Sequence, residues 1–370
     1  MISRGVPFLV SALLFLGGCS DSPGPGGDPI DPGPGGNNPS GNRIAFLSSG
    51  NVASMREDGS NRVMLTRDEI GPNDWASGPL NWSPDGTRLL TRLIRFQPGG
   101  IVDEAAVVAG DGSGYRQVAG VLYWGLLVGT WSPDGSRVSY VKALTSHFGS
   151  SAIYTATPAG TGETRLVTGV PEVFPGHDQA PAWSPDGGEI AFLSDRPVPP
   201  GPEYRWHLFT ARVGESGALL VSSAEVRGFD WAPDGSRFVT TQGPGVLHGD
   251  AAFHNLYLTD RATGTSTRLS PQDNVDTGAL WSRDGTRLAF TSIRDGNIEM
   301  YVMNDDGSGV ERLTNDPAED WVGDWSPDGT RLAFQTNRDG NWEIYTINVD
   351  GTGLTNLTRS AAQETSPAWR

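Results

Sequence analysis

From residue 42 to residue 370 the chain is built of short runs in which apolar and polar residues alternate, each closed by glycine, aspartate or asparagine. Alternation with period two marks a strand with one buried face, because successive side chains point to opposite sides of a sheet. The clearest stretch is 320–358, DWVGDWSPDGTRLAFQTNRDGNWEIYTINVDGTGLTNLT. A first strand ends at Trp325, and Ser326-Pro327-Asp328-Gly329 reverses the chain. Proline presets φ at the second turn position, and glycine takes the left-handed position after it. A second strand follows over 331–336. Arg338-Asp339-Gly340-Asn341 then turns into a third over 342–348, and Asp350-Gly351 leads into a fourth ending at Thr358.

The unit recurs. Tryptophans followed by the same turn stand at Trp82, Trp131, Trp183, Trp231, Trp281 and Trp325, and a seventh, Trp369, is followed by Arg370 alone. The spacings are 49, 52, 48, 50, 44 and 44 residues. Ala232 replaces the turn serine and Arg283 the turn proline in one copy each, while the glycine is present in all six complete turns. Periods of this length with four strand-like runs each predict a β-propeller. Second-strand runs number seven, at 43–47, 88–92, 137–141, 189–193, 237–241, 287–291 and 331–336. The first unit, 42–66, lacks a tryptophan strand, and the ending SPAWR has that strand with nothing after it. The expected fold is therefore all-β, a seven-bladed propeller of four-stranded blades over 42–370. Its N-terminal strands pair with the C-terminal strand, which hides both sheet edges. A six-bladed ring with loose ends is the alternative.

Composition agrees with turns and strands, with 50 glycines, 27 prolines and 19% charged residues. The formal charge is −16 and no basic stripe appears, which argues against nucleic acid as a partner. Lys142 is the only lysine among the 27 basic residues. Cys19 is the only cysteine, so an intramolecular disulfide and a four-cysteine zinc site are excluded. It follows MISRGVPFLVSALLFLGG, with Arg4 near the start and an apolar run from Val6 to Leu16, the pattern of a secretory signal over 1–18. The ending Leu16-Gly17-Gly18-Cys19 resembles the bacterial lipobox, which implies cleavage before Cys19 and a diacylglycerol on its thiol. An ordinary cleaved signal is the alternative. Ser20 after the cysteine favours, by analogy with Gram-negative sorting, the outer membrane. Residues 20–41 hold 13 Gly or Pro in 22 positions, so 19–41 is expected to be a disordered tether. Its reach lies between about 25 Å as a coil and about 70 Å fully extended.

The pattern WSPDGTRLAF…DGNxEIYxxNxDGxGxxxLT resembles the propeller repeat of the TolB family over 42–370. That repeat also occurs in the propellers of some prolyl peptidases and in oligogalacturonate lyases. The resemblance implies the fold; the residues that carry it build blades and name no activity.

In such a blade the S-P-D-G turns and the third-to-fourth turns share one face, and the second-to-third loops share the other with the blade connections. Four second-to-third loops are expanded, at 93–104, 142–151, 194–205 and 242–253, which makes that face the expected working surface. Asp178, Asp276, Asp320 and Glu364 stand five positions before their tryptophans, where inner strands enter the channel; Ser77, Leu126 and Val226 interrupt the series. Such a partial ring of carboxylates is a candidate for a cation or a basic partner side chain, or else for capping its own backbone. His147, His177, His207, His248 and His254 fall on the same face, without ligand spacing on one element. VLYWGLL at 121–127 offers Tyr123 and Trp124 either to the core or to a partner. Gly-x-Ser-x-Gly, His-Glu-x-x-His and phosphate-loop patterns are absent. The reading is a monomeric, lipid-anchored envelope scaffold that binds a protein or polysaccharide, with no cofactor or metal. A metal-dependent polysaccharide lyase or hydrolase on the same face competes with it.

Overall fold

The computed structural model describes residues 41–66, 71, 74–122, 126–144, 150–167, 177–198, 205–243, 254–270 and 274–370. They form seven antiparallel four-stranded sheets. Blades I to VI are named here in chain order by their tryptophans, from Trp82 to Trp325. In blade VI the strands are Asp320–Trp325, Arg331–Thr336, Glu343–Asn348 and Thr355–Asn356, as the spacing predicts. The closing blade joins Glu364–Trp369 to Arg43–Ser48, Asn51–Arg56 and Val63–Met64. Ile44 pairs with Trp369 and Ser48 with Glu364, so the two ends of the repeat array share one sheet.

Each S-P-D-G turn is tied by its own side chains. In blade VI the Asp328 carboxylate accepts from the Ser326 hydroxyl at 2.6 Å and from the Thr330 N–H at 3.1 Å. The turn glycine, Gly329, sits at φ 69°, a conformation that a side chain would strain.

The apolar core divides into seven clusters, one at every blade junction. Each contains the motif tryptophan of the downstream blade. The same tryptophans carry one hydrogen bond across each junction, in two forms. At four junctions the indole N–H donates to the carbonyl of the residue before the preceding tryptophan: Trp82 to Ala368, Trp131 to Asn81, Trp231 to Ala182 and Trp325 to Leu280, all at 3.0–3.1 Å. At the other three that residue carries a side-chain oxygen, and it accepts from the backbone N–H instead: Thr130 from Trp183, Asp230 from Trp281 and Asp324 from Trp369, at 3.0, 3.0 and 2.8 Å. The indole N–H groups of Trp183, Trp281 and Trp369 are the ones left without a partner.

Removing residues 364–370 is expected to abolish the single cooperative melting transition, since the closing blade loses its inner strand and two junctions lose their cluster. Trp369→Ala alone should cost about 3–5 kcal/mol, measured by denaturant unfolding.

Candidate functional site

On the loop face the first residue of an inner strand meets an arginine that follows the second strand by two positions. Arg196 reaches Asp178 at 2.7 Å, Arg294 reaches Asp276 at 2.9 Å, and Arg338 reaches Asp320 at 2.9 Å. All three aspartates are buried. Each arginine also donates to the last hydroxyl of its second strand, Ser194, Ser292 or Thr336. Each lies over two rings of its own blade: Phe192 and Phe209, Phe290 and Tyr301, or Phe334 and Tyr345. The closing blade has Ser49-Gly50 in place of that arginine. There Arg62, from the approach to the outer strand, takes the same position, bonded to Glu364 and Ser48 and lying 5.1 Å from the Phe46 ring.

The four predicted carboxylates are thus each met by a guanidinium inside their own blade. Burial pushes the Asp178 and Asp320 carboxyls above their usual range, and the facing arginines oppose that shift. Sequence spacing showed the acids; the answering arginines were visible as Ser-Asp-Arg, Ser-Ile-Arg and Thr-Asn-Arg but carried no signal alone.

The histidines fall into separate settings. Asp195 accepts from the His177 backbone N–H at 2.5 Å and meets its Nδ1 at 2.9 Å. His207 is buried with Nδ1 at 3.0 Å from the Ala224 carbonyl. Burial, and then the Arg227 charge, holds His254 below its ordinary pKa, against the pull of Glu225. Among the described residues no three His, Cys, Asp or Glu side chains are placed to share a metal ion. Cys19, Tyr123, Trp124, His147 and His248 lie outside the described residues.

Blade I departs from expectation. Residues 93–104 are not an expanded loop but the upper part of a hairpin, Arg88–Gln97 with Gly100–Ala109, turning at Pro98-Gly99. Its strands have ten residues where the second and third strands of the other blades have six. The extra four residues raise it about 13 Å along the strand direction. The inner and outer strands, Trp75–Trp82 and Tyr115–Leu122, lengthen with it. Strand-forming residues on both sides of Pro98-Gly99, Leu-Ile-Arg-Phe before it and Ile-Val after it, were the overlooked signal. The wall is stiffened below by Arg92 on Asp103 at 2.7 Å and Arg95 on Glu104 at 2.9 Å, with Arg95 over Tyr115. Near its top Phe96 is 47% exposed and packs on Trp75 at 5.4 Å, while Asp74 accepts from the Phe96 N–H at 2.7 Å.

No family model matches the chain. It is 30% identical over 200 residues to the uncharacterized protein Atu1656 of Agrobacterium fabrum, covering 44% of this chain and 65% of that protein. It is 35% identical over 118 residues to the Tol-Pal system protein TolB of Anaeromyxobacter dehalogenans, covering 31% of this chain and 25% of the relative. The aligned segments therefore span between a quarter and just under two thirds of these relatives' lengths. Among solved structures, TolB from Acinetobacter baumannii superposes with TM-score 0.53 at 16% identity, over 88% of this chain and 66% of its own. The chain has the TolB-type β-propeller fold. An oligogalacturonate lyase from Vibrio parahaemolyticus shares the fold at TM-score 0.53 and 15% identity, over 69% of this chain and 72% of its own.

Toward its turn face, the TolB-type ring holds two further acids that the spacing did not single out. Asp230 and Asp324 each precede a motif tryptophan, on inner strands two blades apart, and are enclosed by protein but for partial exposure. Burial raises both carboxyls to about 6. Asp324 adds to the shift of Asp230, and Arg283 moderates that of Asp324. A carboxyl whose folded pKa is raised stabilises the fold while protonated. That contribution is complete below about pH 4, the unfolded value, and is lost as pH rises through 6.

The double variant Asp230→Asn/Asp324→Asn keeps an acceptor for the tryptophan N–H groups. It should melt higher than the parent at pH 8, with the difference vanishing near pH 4, as read by calorimetry. Arg338→Ala leaves Asp320 buried without its cation and should cost about 3 kcal/mol in denaturant unfolding at pH 7.

Proposed function

We propose that this propeller is a non-catalytic binding scaffold of the bacterial cell envelope, which presents its loop face to a protein or polymer partner. In this reading Cys19 carries the lipid, 19–41 is the tether, and the ring stands off the outer membrane on its periplasmic or outer side. The observation that carries the proposal is the raised wall of blade I. A four-strand rise ending in a half-exposed Phe96 against Trp75 is the kind of aromatic anchor around which interfaces form. Tyr123 and Trp124, which lie outside the described residues, follow its outer strand Tyr115–Leu122 directly in sequence and belong to the same reading as partner-binding aromatics. The relative named as a Tol-Pal system protein supports an envelope setting. The buried arginine–carboxylate pairs support it physically, since they fix the roots of the loops that a partner would meet.

A second reading, a metal-dependent polysaccharide lyase or hydrolase, rests on His177, oriented by Asp195 ahead of the inner strand of a blade whose third strand begins at His207. Metal bound to protein purified without chelator, and its loss in His177→Ala, would favour that reading instead.

A photo-reactive residue at position 96 should give a discrete cross-linked adduct in intact cells. Replacing 96–101 by Asn-Gly, a turn that closes the shortened hairpin and keeps both ion pairs, should remove any adduct formed from a second probe in the 194–205 loop without lowering the melting temperature. Absence of adducts from both positions would defeat the scaffold reading.

A further inference from the structure

On the turn face, each turn glycine rests against the proline of the turn before it: Gly135 on Pro84, Gly187 on Pro133, Gly235 on Pro185 and Gly285 on Pro233. This chain of contacts is interrupted at two neighbouring places. Blade V has Arg283 where the others have proline, and no atom lies within 4 Å of a side-chain carbon placed on Gly329. The closing blade has no turn, because its inner strand ends at Trp369 while its second strand starts at Arg43.

An arginine stands at each break. Arg283 donates from Nη2 to the Trp369 carbonyl at 3.1 Å, reaching across blade VI to the closing blade. Arg370 lies over the Trp82 indole at 4.5 Å and against Gly86. The missing turn leaves a cavity of about 350 Å³, bounded by these two arginines, Trp82, Asp85 and Asn42.

Arginines gather here in a chain of net charge −16, although Asp324 lies near enough to Arg283 for its carboxyl to feel that guanidinium. Arg43 is buried at the start of the adjoining strand, and its pKa is lowered first by burial and then by repulsion from Arg370 and Arg56. Asp85, held low at about 2, is the acid in the cavity wall and the one charge that raises the pKa of Arg370 against burial. Two guanidinium groups lining one hollow suit a planar or tetrahedral oxyanion, since guanidinium bonds carboxylate and phosphate through paired N–H groups.

We propose that this seam cavity is a binding site for a small anion, its carboxylate or phosphate held between Arg283 and Arg370. The site lies opposite the loop face and is independent of the scaffold reading.

The test titrates the full chain with succinate, glycerol phosphate and inorganic phosphate at ionic strength held constant with chloride. Tryptophan fluorescence and melting temperature are followed. A saturable response to at least one probe is expected, weakened at least about tenfold in Arg370→Gln, the loss of one charge-assisted bond of ~1.5–3 kcal/mol. Arg283→Pro restores the turn residue of the other five complete turns, so it should fold as the parent does and lose binding to the same degree. It decides the matter should Arg370→Gln fail to fold. A response to succinate alone assigns the site to carboxylates, and one to either phosphate probe extends it to phosphate. No saturable response in the parent, or equal binding by parent and Arg283→Pro, would overturn the proposal.

Discussion

Everything in this ring depends on one hydrogen bond made by each motif tryptophan across a blade junction. Sheets set radially have no backbone ladder between them, so they are held by side-chain packing and by whatever polar contacts bridge the inner strands. Here every junction has one tryptophan bridge, made either by the indole N–H or by the backbone N–H, and several carry further contacts such as Asn81 to the Gly129 carbonyl or the Val322 N–H to Thr291. The choice is set by the preceding residue. Alanine, leucine or asparagine leaves the carbonyl to accept the indole, whereas threonine or aspartate captures the backbone and leaves the indole unpaired. The two solutions are interchangeable, so the tryptophan recurs at every position although its neighbour does not.

That interchangeability separates the two faces. On the turn face the S-P-D-G turns are saturated by their own serine and aspartate side chains, and they pack against one another almost around the ring. On the loop face a half-buried arginine locks the buried carboxylate at the head of the inner strand to the end of the second strand, and rests on two aromatic rings. A buried ion pair adds little net stability against an apolar alternative, but loss of either partner is costly. Its value here is geometric, because the strand ends beneath each loop are fixed whatever the loop contains. Blade I shows how far such freedom extends, with a hairpin raised above the ring while its lower strands keep the common register.

The seam is the point where repetition fails. A ring closed by strands from the two ends of the array has one turn fewer than it has blades. The space of that turn is left between Arg283 and Arg370, both standing where the repeat elsewhere has its own turn residues. Closure therefore protects the sheet edges and, by the same step, opens a hollow.

The repeat of tryptophan, turn and alternating strands was enough to indicate seven blades, the order of strands within each and the pairing of the N-terminal strands with the C-terminal one. These follow from local rules, namely period two, proline and glycine in turns, and the need to hide an edge. The acids at 178, 276, 320 and 364 were also legible, as positions. What answers each of them was not, because Arg62 reaches Glu364 from 302 residues away in sequence while Arg338 reaches Asp320 from 18. Nor did spacing reveal that Asp230 and Asp324 lie near enough to influence one another, or that 93–104 stands up as strand rather than lying as loop. Sequence determines what each segment does with its neighbours along the chain. Which charges and rings meet across the ring is decided by the closing of seven sheets around one axis, and only the tertiary structure contains that axis.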